Sequence, residues 1–545
     1  MRRTIPAGAL AVLLLSAALL LAACTDDTDG PTAEDDDCPA ELAEPLAAWG
    51  ASGFSGVVVV TTAGEADCTV ATAGHGPDTV FGIGSVSKAF TAAAVLDLVD
   101  AGTIALDDRA GDLVPGLDGP VAGVTVEQLL LHTSGLIGSH GLDSEPLEHD
   151  AAVAAISRLT LAFEPGTDFL YSNTGYTLLA LIVEAVAPGG HRGYLTEEVL
   201  ALPDGSTAGT FGEGDPSATG DHWAVAGNGD LAMTVPELAA WTHALFTGDI
   251  VGHGALERIT TPGFDMGDGT GETAGWVAFD DSRFGTPFLG VAGGGGDTAE
   301  NAVVVWLPEA ERVIAVASDS EEVTAEDLLL AIGPALATGD VPPRPEARGT
   351  EVDRAELEAA AGRYDIDAGG SGGSDTGDSG GFEVSVVDGD RLAVAASGPT
   401  AVAALFPRPG GVSAAEVAEH EAAVIALLAG ETAVGRDELD LLEEDLGPVD
   451  DVVLTGTIVA DRELRTYVLL TAGGEEHGAW YSVDEHGEIS AVELTDELPT
   501  LVLVPIGDGR FVPDDPTGAG ADLTVEFRGD ELAVGDVTAT RRRTG

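Results

Sequence analysis

"FGIGSVSKAFTAAAVLDLVDAG", residues 81–102, leaves a strand pattern, turns through two glycines and enters a helix rich in alanine and leucine, with Gly102 placed as its stop. Upstream, "GVVVVTTAGEADCTVATAG" reads as a β-hairpin. Downstream come helical segments, "TVEQLLLH", "AAVAAISRL", "YTLLALIVEAVA" and "VPELAAWTHALFTG", and then strand runs again, "GWVAFD", "FLGVAG", "NAVVVWLP" and "RVIAVASD". Strands open and close the region while helices fill its middle, so one sheet built from both ends, with a helical insertion, is the economical α/β fold.

The same stretch carries the chain's one lysine, Lys88; every other basic residue is an arginine. An amine can give up its proton where a guanidinium cannot. Ser85 lies three residues before it, on the same helix face, within hydrogen-bond reach. The apolar flank of Phe81, Ile83, Val86 and Phe90 would favour the neutral amine, and the helix start adds oriented N–H groups beside the hydroxyl. Together these make an activated nucleophile. The same serine also suits a helix N-cap.

A second cluster, Tyr171-Ser172-Asn173, stands just before the helix "YTLLALIVEAVA". A phenol and an amine around one hydroxyl can relay its proton to a leaving group, and the Asn173 amide can both donate and accept toward a substrate amide.

"FGIGSVSK", "VTVEQLLLHTSGL", "FEPGTDFLYSNTGYTLLALIVEAV" and "AGNGDLAMTVPELAAWTHALFTG", in this order, resemble the serine beta-lactamase-related family of class C beta-lactamases, D-alanyl-D-alanine carboxypeptidases and related esterases. The resemblance covers about residues 40 to 335. It implies a beta-lactamase-like antiparallel sheet flanked by helices with a helical subdomain, and a covalent acyl-enzyme. Ser85 would be the nucleophile, Lys88 its base or proton partner, Tyr171 the proton relay and Asn173 a substrate contact. His132 matches a family signature read here as structural.

The third family element, Lys-Thr-Gly or His-x-Gly on the inner strand, is where this chain departs. The corresponding stretch is "LGVAGGGGDTAENAVVVWLPE"; one count puts Gly293 at the basic position and another Ala292. The N–H of Gly295 or Gly296 can still complete an oxyanion hole with that of Ser85. Without a cation for a substrate carboxylate, neutral esters or amides rank above a D-alanyl peptide or a beta-lactam. Arg283 is the candidate cation from a neighbouring strand. A ligand-sensing protein of weak activity on the same fold is the alternative.

Asp and Glu number 93 against 23 Lys and Arg, a formal charge of -70. Such a field repels nucleic acid and anionic lipid. Self-repulsion of this size is screened at about 1 M salt, where the Debye length is roughly 3 Å, so a saline or alkaline habitat is expected; an ordinary acidic exported protein is the alternative.

The N-terminus, "MRRTIPAGALAVLLLSAALLLAAC", has the order of an export signal, and "LAAC" resembles a lipobox that would lipidate Cys24 and hold the chain at the extracytoplasmic face of the membrane. A plain signal peptide or an uncleaved anchor remains open. Cys38 and Cys68 are then left as a disulfide or as two buried thiols. No cysteine–histidine cluster has zinc spacing, and no metal or cofactor is expected.

The domain plan is therefore a signal at 1–24, an acidic tether at 25–38, a hydrolase domain at 39–337 and a proline-rich linker at 338–350. Residues 351–545 form a smaller, mainly β, barrel-like domain, interrupted by a glycine-rich loop and a helical piece. It loosely resembles the lipocalin-like domains attached to some family members.

Overall fold

The computed structural model describes residues 38–137, 139–141, 146–212, 222–267, 269–294, 299–345, 349–350, 352–366, 380–387, 390–408, 412–460, 463–483, 487, 489–495, 498–514 and 523–542. The expected export signal, Cys24 and nearly all of the expected acidic tether lie outside these residues, as do Gly295 and Gly296. Among the described residues no helix is long and apolar enough to cross a membrane.

The first domain is built on an eight-stranded antiparallel sheet. Its spatial order is Glu65–Ala71, Gly56–Thr62, Arg312–Ser318, Asn301–Leu307, Phe288–Gly294, Val277–Phe279, Thr270–Glu272 and Phe264–Asp265. Both ends of the segment do supply the sheet, with the helices inserted between them. The unbroken apolar run of the first strand follows from burial on both faces. Val57 and Val59 point into a core shared with the helices Ser87–Asp100, Asn173–Val186 and Val235–Thr247. Val58 and Val60 point into a second core with the helices Ala40–Ala48 and Ala325–Thr338.

Cys38 and Cys68 form a disulfide that pins the start of the first helix to the edge strand. Cys68 sits in mid-strand. The bridge spans 30 residues of sequence, for which loop-closure entropy gives about 3–4 kcal/mol. Cys38→Ala is expected to cost that amount of stability, read as a lower melting temperature, without changing the fold. An unchanged melt under non-reducing conditions would contradict this.

The second domain divides in two. Eight strands close a barrel, Gly362–Ile366 pairing with Gly381–Val387 on one side and with Val537–Arg541 on the other. Tyr364, Phe382, Val394, Leu503, Phe511 and Leu532 fill it. Between its strands Arg391–Ser397 and Thr500–Gly507 the chain makes a separate unit, in which the helices Ala414–Leu428 and Ala433–Leu446 accompany a four-stranded sheet with its own core around Val424, Leu427, Leu470 and Tyr481. What the sequence offered as a helical interruption is thus a layered insertion. Arg391 joins the domains, bonding Glu322 at 2.9 Å and the buried Asp514 at 2.6 Å.

Candidate active site

Ser85 sits in a tight 3-10 turn, Gly84–Val86, that feeds the helix Ser87–Asp100. The turn is held from below. The N–H of Ile83 donates to Leu231 O at 3.1 Å, and that of Leu231 donates to the Ser87 hydroxyl at 3.2 Å. The Thr91 hydroxyl donates to Gly227 O at 2.8 Å. The segment "AGNGDLAMT" therefore acts as a clamp on the first turns of the helix.

Lys88 is 3% exposed, and its Nζ lies 2.9 Å from Ser85 Oγ. It donates at 3.0 Å to the carbonyl of Asn228. This second partner was not legible in the sequence, because a backbone acceptor leaves no side-chain signature. The Asn228 amide is itself fixed by donating to Thr177 Oγ1 and Ala224 O, so the carbonyl that receives the amine is rigidly placed.

Tyr171 closes the third side, its hydroxyl donating to Ser85 Oγ at 2.8 Å. Although Tyr171 is 50% exposed, the packing around its hydroxyl pushes the phenol up to about 12, the bond to Ser85 acting in the opposite sense and the charge of Glu272 adding to the rise. At neutral pH it is a proton donor rather than a phenolate base.

His132 positions this tyrosine. Its ring lies 4.5 Å from that of Tyr171, and its Nδ1 accepts the Ser172 N–H at 3.0 Å. Burial, then the neighbouring Lys88, lowers the imidazole to about 3, so it is neutral, with its proton on Nε2. It occupies the left-handed region at φ 55°, a strained backbone for a non-glycine residue. Ser172 caps the next helix by accepting the Gly175 N–H at 3.1 Å. Asn173, the first residue of that helix, is exposed.

The inner strand Phe288–Gly294 explains the departure from the family pattern. Ala292 packs toward the far core, away from Ser85. Gly293 lies flat on the nucleophile's turn, where an added Cβ would come within 2.4 Å of both Ser85 N and Ile83 O. With this backbone, neither position can offer a basic side chain to the site. Arg283 does not replace it: its guanidinium stacks over Phe279 at 4.7 Å, in the turn at the Phe288 end of the strand. Five residues separate that end from Gly293, roughly 17 Å of strand.

Glu272 had no signal in the sequence. It is 7% exposed, and burial pushes its carboxyl up to about 8 from an ordinary 4.5. The folded protein holds this proton more tightly than the unfolded chain, so the associated stability is fully present below pH 4.5 and is lost as pH rises through 8. The shift sets an upper limit of roughly 5 kcal/mol. Glu272→Gln cannot ionise, so its melting temperature is expected to gain on the wild type between pH 5 and pH 9. Parallel melting curves across that range would contradict the assignment.

A serine hydroxyl held between an amine and a phenol is the arrangement that a serine nucleophile needs. The beta-lactamase family model matches residues 44–338, more than half of the 545 residues, and the chain belongs to that family of serine hydrolases. Penicillin-binding protein 4 of Amycolatopsis lactamdurans is 42% identical over 115 residues, which are 20% of this chain and 30% of the relative. Penicillin-binding protein 4* of Bacillus subtilis (strain 168) is 23% identical over 335 residues, 54% of this chain and 73% of the relative. Among solved structures, the octameric penicillin-binding protein homologue from Pyrococcus abyssi aligns with a TM-score of 0.49 at 19% identity, over 84% of this chain and 98% of that one.

Proposed function

We propose that the chain is an exported serine hydrolase that cleaves ester or amide bonds through an acyl-enzyme on Ser85. The observation that carries this is the double contact on one oxygen, Lys88 Nζ at 2.9 Å and Tyr171 Oη at 2.8 Å. Lys88, as the neutral amine, takes the Ser85 proton as Oγ attacks the carbonyl carbon. The phenol of Tyr171 gives its proton to the departing alkoxide or amine as the C–O or C–N bond breaks. The ammonium of Lys88 returns a proton to Tyr171, and water then releases the acyl group by the reverse path. The N–H groups of Ser85 and of Gly295 or Gly296 would hold the oxyanion.

The side-chain-free strand at Gly293 ranks neutral ester or amide substrates above those ending in a carboxylate. Parallel assays with a p-nitrophenyl ester, a D-alanyl-D-alanine peptide and a penicillin test this. Turnover of the ester with little or none of the peptide supports the ranking, and the opposite order overturns it.

The leader and "LAAC" support export and lipidation at Cys24, a reading tested by the mass of the N-terminal peptide from membrane fractions. The charge of -70 supports adaptation to salt; unfolding midpoints that do not rise between 0.1 M and 2 M NaCl would remove it.

A further inference from the structure

Glu272 is a buried carboxyl that the proposed reaction does not use. Among the described residues no hydrogen bond or ion pair to its side chain is seen, while its backbone carbonyl accepts the Gly263 N–H at 2.8 Å. It pairs in register with Phe264, so the two side chains share one face of the sheet. From there an aromatic row leads to the nucleophile. Phe264 stacks on Phe169 at 5.9 Å, Phe169 meets His132 edge-on at 5.9 Å, and His132 lies 4.5 Å from the ring of Tyr171 and 5.0 Å from that of Tyr176. The turn after Glu272 is pressed against the Lys88 helix, where a Cβ on Gly275 would stand 2.7 Å from that of Ala92. The charge of Glu272 is felt by both Tyr171 and Tyr176.

We propose that Glu272 and this row form an ammonium subsite, which binds a protonated amine carried by the ester or amide substrate. The proposal rests on the hydrolase reading and adds the chemistry of the group recognised. Without a partner the buried carboxyl keeps its proton at neutral pH; a cationic ligand group favours the ionised carboxylate, and the aromatic faces attract the same charge. Gly293 leaves the strand across the site without a cation to hold a carboxylate. The field of the whole chain draws cations and repels anions.

The test titrates benzylamine hydrochloride and benzyl alcohol calorimetrically into the mature chain, its Glu272→Gln variant and its Ser85→Ala variant, with melting curves to show that each is folded. The wild type and Ser85→Ala should bind the ammonium at least tenfold more tightly than the alcohol, and Glu272→Gln should reduce that preference below twofold. No preference in the wild type, or a preference that survives in Glu272→Gln, overturns the proposal whatever the activity. An ammonium preference in a chain whose Ser85 accepts no acyl or phosphonyl group would instead sink the hydrolase reading and leave the subsite standing.

Discussion

Replacing Lys88 with arginine is expected to lower kcat/KM for an ester substrate by three to four orders of magnitude. The positive charge remains, yet a guanidinium does not accept a proton at working pH, and a general base contributes about 10²–10⁴ in rate. Lys88 is 3% exposed, so the larger side chain will also crowd its pocket. A second variant separates chemistry from packing. Lys88→Ala leaves a cavity beside Ser85 and Asn228 O, and a small primary amine in the buffer should restore part of its rate, increasingly so at pH values where that amine is neutral. Wild-type-like turnover in Lys88→Arg, or a folded Lys88→Ala without rescue, would contradict the base assignment.

Gly293→His is expected to destroy activity rather than bring the site closer to its relatives. Sequence comparison alone would suggest that the imidazole restores a lost group. The geometry says otherwise, because a Cβ at this position meets backbone atoms, Ser85 N and Ile83 O at 2.4 Å and Val86 N at 2.6 Å, and none of these can swing aside as a flexible side chain would. Either the strand or the nucleophile's turn must move, at a cost of about 1–3 kcal/mol. Movement of ~1 Å at the reacting atoms is worth about 10² in rate. Gly293→Ala carries the same Cβ and should lose as much. An alanine variant with full activity and an unchanged melt would show that the strand does not sit on the turn in this way.

These two positions also show what the sequence carries. Ser85 and Lys88 were legible because helical spacing brings positions three apart onto one face, and Tyr171 because its neighbours matched a family pattern. The sheet was legible from apolar runs at both ends of the domain. Gly293 was not, since its requirement comes from the approach of two segments more than 200 residues apart in the chain. Glu272 was hidden for a related reason: in "GETAGW" it looks like one more acid in an acidic chain, and only the pairing with Phe264 places it under an aromatic row. In the second domain, alternation announced strands but not their closure. The barrel is sealed by Tyr364 pairing with Arg541, and the helix pair after residue 413 belongs to an insertion with a core of its own.

The proposed chemistry depends first on Ser85 being a nucleophile that becomes acylated. Intact-mass spectrometry of the mature chain in 2 M NaCl, after exposure to a fluorophosphonate, a p-nitrophenyl ester and a penicillin, tests it most directly. One covalent adduct per chain is expected with the fluorophosphonate, absent in Ser85→Ala. A folded wild-type chain that stays unmodified by all three probes, or an adduct that persists in Ser85→Ala, would contradict it.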